Sequence, residues 1–203
     1  MKSTVVIPTI GRRTLENAVH SAVREGMDVI VVCDGPLRVP EFPDGVKVVS
    51  LGKKFGCYGA MAYNAGAYLA KTKFIVSLAD DDELGFGFGE ILSKTLEENP
   101  EIDIWVPQLN FNDGRVCCCP ELGHRLGNIC APIYRVDVLA QVPFRLNMGE
   151  NVNIIDFYHL EECLEEGFKL DWKLELKYMV RPNLSSRRGM GKCSASDDKI
   201  TLL

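Results

Sequence analysis

Three consecutive aspartates, Asp80, Asp81 and Asp82, are the residues of this chain best suited to metal chemistry. They directly follow the apolar, strand-like segment Phe74–Ser77 and the two residues after it. Three adjacent carboxylates repel one another, so we expect a cation such as Mn²⁺ or Mg²⁺ to offset their charge. A metal that keeps open positions can bind a diphosphate. The alternative is an acidic turn that begins the next helix, because acidic side chains stabilise a helix N-terminus.

The segments before the aspartates alternate between apolar runs and helical spacing. Continuous apolar strands interleaved with helices predict an α/β fold with a mainly parallel central sheet flanked by helices. Ligands bind beyond the carboxyl ends of the strands in such a sheet, so Asp34 and the aspartate run are expected to line one crevice. Strands are predicted over 4–8, 28–33, 46–51 and 73–78, and helices over 14–24 and 56–70.

The second half of the chain continues with a helix, a strand and a further helix and strand. The helix that ends before Gly167 shows apolar residues at helical spacing, and glycine is the usual residue after a helix. We predict one domain over residues 1–180, followed by a basic, flexible loop and tail over 181–203. The predicted elements are a helix over 90–98, a strand over 102–107, an edge strand or hairpin arm over 115–119, a helix over 154–166 and a strand over 168–178.

Composition limits the function classes. A chain of 203 residues is long enough for one well-buried domain. Its formal charge of −5 argues against broad electrostatic binding to nucleic acid, although a local basic loop can still hold phosphates. No apolar run has the length of a signal peptide core or a membrane span, so we expect a soluble, cytoplasmic protein without a transmembrane segment. The oligomeric state does not follow from these residues.

Four segments occur in an order that resembles a known family. They are residues 5–9 with Arg12, residues 30–35, residues 59–66 and the aspartate run. Together they resemble the nucleotide-sugar-dependent glycosyltransferases of family 2, which have the GT-A fold. Two positions depart from the family pattern: Cys33 replaces one of two usual acids, and Tyr63 stands where arginine is common.

The resemblance implies roles for the residues that match these segments. Asp34 would contact the nucleotide base, although the residue also suits a simple turn. Asn64 would order the sugar-binding crevice, or it is an ordinary amide on a helix surface. Asp81 would contact Mn²⁺ or Mg²⁺ most directly, with Asp82 as a second ligand. The donor-binding residues expected in these segments are Pro8, Thr9, Arg12, Asp34, Asn64 and Asp80.

The catalytic base is expected near the start of the helix predicted over 154–166. Counting back from Gly167 places Asp156 on the family's catalytic aspartate, with Ile155 where glutamate is usual. Glu150 is a second candidate, because an insertion before the helix would restore a variant of the motif. An aspartate in the first turn of a helix is also stabilised by the helix dipole alone. The base would deprotonate an acceptor hydroxyl, which attacks the sugar opposite the diphosphate and inverts its configuration.

The basic loop at the end of the chain is the candidate for stabilising the leaving diphosphate. Arg187, Arg188 and Lys192 would offset the charge that grows there, or they belong to a solvated tail. His159 and His124 are candidates for contact with acceptor or phosphate, with a structural role as the alternative. Trp105 and Trp172 are expected in the core or sheet.

These residues predict a metal-dependent transferase that moves a sugar from a nucleoside diphosphate sugar, with UDP implied by the resemblance, to an acceptor hydroxyl. A sugar-phosphate nucleotidyltransferase is an alternative, but the segment 8–13 has only one glycine for a phosphate loop. A noncatalytic nucleotide-sugar-binding protein is another, because glutamate is missing before Asp156. The acceptor is expected to be a glycan precursor, or a hydroxylated DNA base met by residues 181–192.

Overall fold

The computed structural model describes residues 2–112, 114, 116–117, 132–146 and 155–180. Glu150, His124 and the predicted tail over 181–203, with Arg187, Arg188 and Lys192, lie outside the described residues. Asp156 is described as part of a helix, without its side chain. In the described part of the chain, no helix combines the length and apolar character that a membrane crossing requires.

The described residues form one mixed α/β domain with helices on both faces of a sheet. The helices are α1 (Leu15–Arg24), α2 (Ala60–Leu69), α3 (Phe88–Glu98), α4 (Val136–Gln141) and α5 (Ile155–Glu165). The strands are β1 (Ser3–Thr9), β2 (Asp28–Cys33), β3 (Lys47–Ser50), β4 (Phe74–Ser77), β5 (Glu83–Leu84), β6 (Ile104–Phe111), β7 (Val116–Cys117), β8 (Ile133–Arg135) and β9 (Leu170–Val180).

The sheet is mixed, and the prediction of a mainly parallel sheet is wrong. Its strand order is β3-β2-β1-β4-β8-β6-β9-β5, with β7 paired to β6. The first four strands of this order are parallel, but β8 runs antiparallel to both of its neighbours, and β5 is antiparallel to β9. The short strands β5 and β8 were not predicted, because two or three residues are too few to show a strand pattern.

Each face of the sheet buries its own hydrophobic cluster. Alternation along β1 sends Val5 and Ile7 to the side covered by α1 and α3, and Val6 to the side covered by α2, α4 and α5. Trp105 is fully buried on the α1 side, where its ring meets that of Phe74 edge-on. This confirms Trp105 as a core residue, while the partly buried Trp172 packs against the opposite cluster.

The entry to α2 differs from the helix predicted over 56–70. Gly56, Cys57, Tyr58 and Gly59 all have positive φ, and they form a left-handed turn before α2 begins at Ala60. A left-handed conformation costs a residue with a side chain about 1–2 kcal/mol, so the turn is strained at its two central positions. The flanking glycines adopt it without that cost. The later helix is confirmed, since α5 is followed by Gly167 with a φ of +88°.

Candidate active site

Thr9, Arg12 and the first two aspartates meet where β1 and β4 end. The Thr9 hydroxyl donates to Asp80 Oδ2 at 2.6 Å, and the Ile10 amide donates to the same oxygen at 3.3 Å. Arg12 Nη1 contacts Asp80 Oδ1 and lies 3.6 Å from Asp81 Oδ1. The structure therefore brings together four residues that the sequence proposed for one site.

Arg12 supplies a positive charge to the aspartate run. Its burial lowers the pKa of the guanidinium, but Asp80, Asp81 and Asp82 together raise the pKa by more. The expectation that a cation accompanies the three carboxylates is thus met in part by a side chain of the protein itself. The Arg12 side chain is 47% exposed, so a ligand can reach it from solvent.

Asp82 is held by a tyrosine from the far end of the sequence. The Tyr178 hydroxyl donates to Asp82 Oδ2 at 2.8 Å and accepts the Ala79 amide at 3.0 Å. Both Tyr178 and Asp82 are buried. Sequence reasoning missed Tyr178, since its only signal was a place in the alternating strand at 168–178. Its hydroxyl gains a role only because β9 comes close to the loop after β4.

Asp34 lies beside the same strand end but faces a different loop. Its amide donates to the Thr9 carbonyl at 2.9 Å, which places Asp34 next to the end of β1. Its two carboxylate oxygens accept from the Phe55 amide at 2.7 Å and the Gly56 amide at 2.8 Å. Asp34 therefore holds the chain that enters the left-handed turn. Contact between Asp34 and a nucleotide base stays a prediction.

Pro8 and Asn64 connect α2 and its entry turn to their surroundings. A Cβ added to Gly59 would lie 2.9 Å from Pro8 Cβ, so the turn packs directly on the end of β1. The Asn64 amide nitrogen donates to the Phe144 carbonyl at 2.8 Å, and its oxygen accepts the Phe144 amide at 3.0 Å. Asn64 is therefore not an ordinary surface amide. It fixes residues 142–146, which follow α4 and are called the strap below.

The aspartate run suits a metal site in which one or two carboxylates share the ion with substrate phosphates. Across the described ranges, no group of three or more His, Cys, Asp or Glu side chains is arranged to hold a metal ion. Mg²⁺-like ions are commonly held by one or two carboxylates together with substrate phosphates, and they prefer oxygen ligands. Asp81 fits this role best, because its side chain is 9% exposed against 2% for Asp80.

His159 has a structural environment. The side chain is buried between the Tyr134 hydroxyl, 3.0 Å from Nδ1, and the Val142 carbonyl, 2.7 Å from Nε2. The Phe144 ring stacks on the imidazole with a centroid distance of 4.0 Å. These contacts fit the structural role for His159. They give no support for direct contact with acceptor or phosphate.

Comparison with known proteins identifies the fold. No protein-family model and no curated protein sequence matches the chain. A solved structure of the glycosyltransferase TarS from S. aureus, residues 1-349, aligns with a TM-score of 0.71 at 14% identity, covering 89% of this chain and 60% of that one. The chain has a GT-A-like glycosyltransferase fold. This GT-A-like chain spans less than two thirds of the TarS fragment, since the covered share is 60%.

Two further structures of this fold contain nucleotides. TarS 1-349 in complex with UDP has a TM-score of 0.67 at 15% identity, and the alignment covers 89% of this chain and 60% of that one. The mannosyltransferase PcManGT from Pyrobaculum calidifontis, in complex with GDP-Man and Mn²⁺, has a TM-score of 0.62 at 12% identity. That alignment covers 92% of this chain and 58% of the mannosyltransferase.

Proposed function

We propose that this protein is a glycosyltransferase that moves a sugar from a nucleoside diphosphate sugar to an acceptor hydroxyl. The observation that carries the proposal is the group formed by Thr9, Arg12, Asp80 and Asp81 at the carboxyl ends of two parallel strands. Ligands of open α/β sheets bind at such strand ends. Support comes from solved structures with the same fold that hold UDP, UDP-GlcNAc or GDP-Man.

In this proposal the acidic side chains hold Mn²⁺ or Mg²⁺ beside the donor. A bound divalent ion would offset the charge of the diphosphate and make it a better leaving group. Asp81 would be the main ligand. Asp82 is the weaker candidate because Tyr178 already donates to one of its oxygens. Arg12 pairs with Asp80 and presents a half-exposed guanidinium for hydrogen bonds to a donor phosphate.

Proton removal from the acceptor is assigned to the start of α5. Asp156 lies in the first turn of this helix and is our candidate for the base, with Glu150 as the second candidate. A base must come within hydrogen-bond reach of the hydroxyl whose proton it takes. An attack opposite the diphosphate would invert the sugar. Arg187, Arg188 and Lys192 are proposed to meet the leaving diphosphate.

Two questions remain open in this proposal: which acceptor receives the sugar, and whether the protein catalyses transfer at all. A glycan precursor is the default acceptor, and a hydroxylated DNA base is the alternative. The noncatalytic binding protein stays open because Ile155 offers no carboxylate at the first position of α5. Release of nucleoside diphosphate that depends on an added acceptor would exclude it. Release of pyrophosphate from a nucleoside triphosphate would instead support the nucleotidyltransferase.

Calorimetry with nucleoside diphosphates and their sugars tests the donor site. The native protein, Asp81→Ala and the control Asp44→Ala are titrated with each compound, with and without Mn²⁺. Asp44 is an exposed acid in the loop before β3, so its loss changes the net charge equally. We expect Mn²⁺-dependent binding of one nucleotide family, weakened at least about 100-fold in Asp81→Ala, since a catalytic metal contributes several kcal/mol. Absence of binding to the native protein contradicts the proposal.

A further inference from the structure

The strap over residues 142–146 is held by three separate elements. Asn64 of α2 clamps Phe144 through two hydrogen bonds. The Cys57 thiol of the left-handed turn donates to the Leu146 carbonyl at 2.8 Å. The imidazole of His159 on α5 lies 2.7 Å from the Val142 carbonyl. The strap therefore joins the helix that borders the candidate donor site to the helix that carries Asp156.

The contacts of His159 define its hydrogen-bonding state. A carbonyl oxygen can only accept, so Nε2 must carry the proton and donate to Val142. Nδ1 is then unprotonated and accepts from the Tyr134 hydroxyl. The imidazole thus bonds β8 through Nδ1 and the strap through Nε2, and the Cys163 sulfur lies 3.9 Å from both nitrogens. The ring is further fixed by stacking on Phe144.

The surroundings of His159 keep the cluster neutral. Burial lowers the pKa of the imidazole, while the Val142 carbonyl and Glu162 raise it by a smaller amount. Burial and Glu162 also raise the pKa of the neighbouring Cys163 thiol to about 12. Neither group carries a charge near neutral pH, so His159 holds the strap through neutral hydrogen bonds. The charged contact between the strap and α5 is the exposed ion pair of Arg145 with Glu162.

His159 lies close in sequence to Asp156, the candidate catalytic base. His159 comes three residues after Asp156, less than one helical turn along α5. We propose that His159 and Asn64 are positioning residues, which act through the strap to set the place of α5 relative to α2. A displacement of about 1 Å between reacting groups can lower a rate about 100-fold. The role of Asp156 as the base rests on the proposed function, whereas the coupling between α2 and α5 does not.

Hydrogen exchange tests the coupling without any substrate. In Asn64→Ala we expect faster amide exchange in α5, although the two hydrogen bonds that the change removes join Asn64 to Phe144 of the strap. The internal reference is α3, on the opposite face of the sheet. Thr95→Val is the matched control, because it removes a buried hydroxyl from α3 that donates within its own helix. Equal acceleration in α3 and α5, or none in α5, would overturn the proposal.

Kinetics tests whether the coupling positions the chemistry. His159→Gln can keep a donor for Val142, His159→Asn can keep an acceptor for Tyr134, and His159→Ala keeps neither. With UDP-GlcNAc and Mn²⁺, we expect kcat for UDP release to fall at least about tenfold in His159→Ala, with partial recovery in one of the amide variants. The UDP-GlcNAc dissociation constant should change less than about twofold. Lys94→Ala, which breaks an exposed ion pair to Glu98 within α3, should leave kcat unchanged.

The two experiments fail in different ways. If the native protein binds no UDP-GlcNAc or other sugar nucleotide, the proposed function loses its support, and hydrogen exchange still decides the coupling. If donor binding is normal but kcat in His159→Ala equals that of the native protein, the positioning role is wrong and the proposed function stands. If affinity and kcat fall together, His159 acts on overall folding, and the positioning role is again wrong.

Discussion

Two buried polar clusters in this domain are stabilised in opposite ways. The acidic cluster of Asp80, Asp81 and Asp82 depends on the positive charge of Arg12 and on hydroxyl donors. The neutral cluster around His159 is satisfied by one hydroxyl and one carbonyl. A group of adjacent negative charges favours a cationic ligand, whereas a satisfied neutral network holds its shape. We therefore expect binding at the first cluster and rigidity at the second.

The largest effect on stability is expected from Arg12→Ala. The change leaves the buried Asp80 carboxylate without its cation. Because Arg12 is half exposed, we expect the free energy of unfolding to fall by only about 2 kcal/mol. Mn²⁺ should restore part of the lost stability if the cluster binds a cation. Thermal melts with and without millimolar Mn²⁺ measure both effects. Arg135→Ala is the control, because Arg135 pairs with Asp103 beside Phe74, at the end of β4 opposite the cluster. Equal Mn²⁺ effects in the two variants would contradict the assignment of binding to the acidic cluster.

A smaller loss is expected from Tyr178→Phe. The change removes a donor to Asp82 and an acceptor for the Ala79 amide, so the free energy of unfolding should fall by about 1–2 kcal/mol. Urea denaturation measures the loss. Tyr68→Phe removes the same hydroxyl from a side chain that is 89% exposed, and it should leave the urea midpoint unchanged. An unchanged midpoint in Tyr178→Phe would show that the acidic cluster does not need this hydroxyl.

The weakest expected effect is the pH dependence that comes from His159. Its folded-state pKa lies below the ordinary 6.5, so the unfolded chain takes up a proton first as the pH falls. Stability from the neutral ring is therefore complete above about pH 6.5 and declines below it, by at most about 1.4 kcal/mol per pH unit. In His159→Gln, the free energy of unfolding should lose this part of its pH dependence. Urea titrations between pH 7 and 5 measure it, because this range spans the ordinary histidine pKa of 6.5. His20→Gln, at an exposed histidine, should keep it. A slope that persists in His159→Gln would argue against a neutral cluster.

Much of the fold follows from local sequence pattern. The strand at Asp28–Cys33 was predicted with its observed bounds, because a continuous apolar run followed by Asp34-Gly35 marks both its burial and its end. Helix α5 was predicted within one residue at each end. The mixed sheet was not predictable, since β5 and β8 are defined by their partners across the sheet rather than by their own few residues.

The candidate site was predictable in its residue types but not in its pairings. The aspartate run, Thr9 and Arg12 were all singled out, and the structure brings them together. That Arg12 pairs with Asp80 could not be read from spacing, because the contact joins residues 68 positions apart. The hydroxyl of Tyr178 and the bonds between Asn64 and the strap were hidden for the same reason. Long-range hydrogen bonds leave no local signal in a sequence.

The bond between Tyr178 and Asp82 also has a consequence for the order of synthesis. It joins residues 96 positions apart, and Tyr178 belongs to the last strand that the structure describes. While the ribosome is still making the chain, β1 to β4 can pair before Tyr178 has been added. During that interval the loop after β4 lacks the hydroxyl that holds Asp82 and Ala79. The nascent protein therefore completes this acidic loop only after β9 has been made.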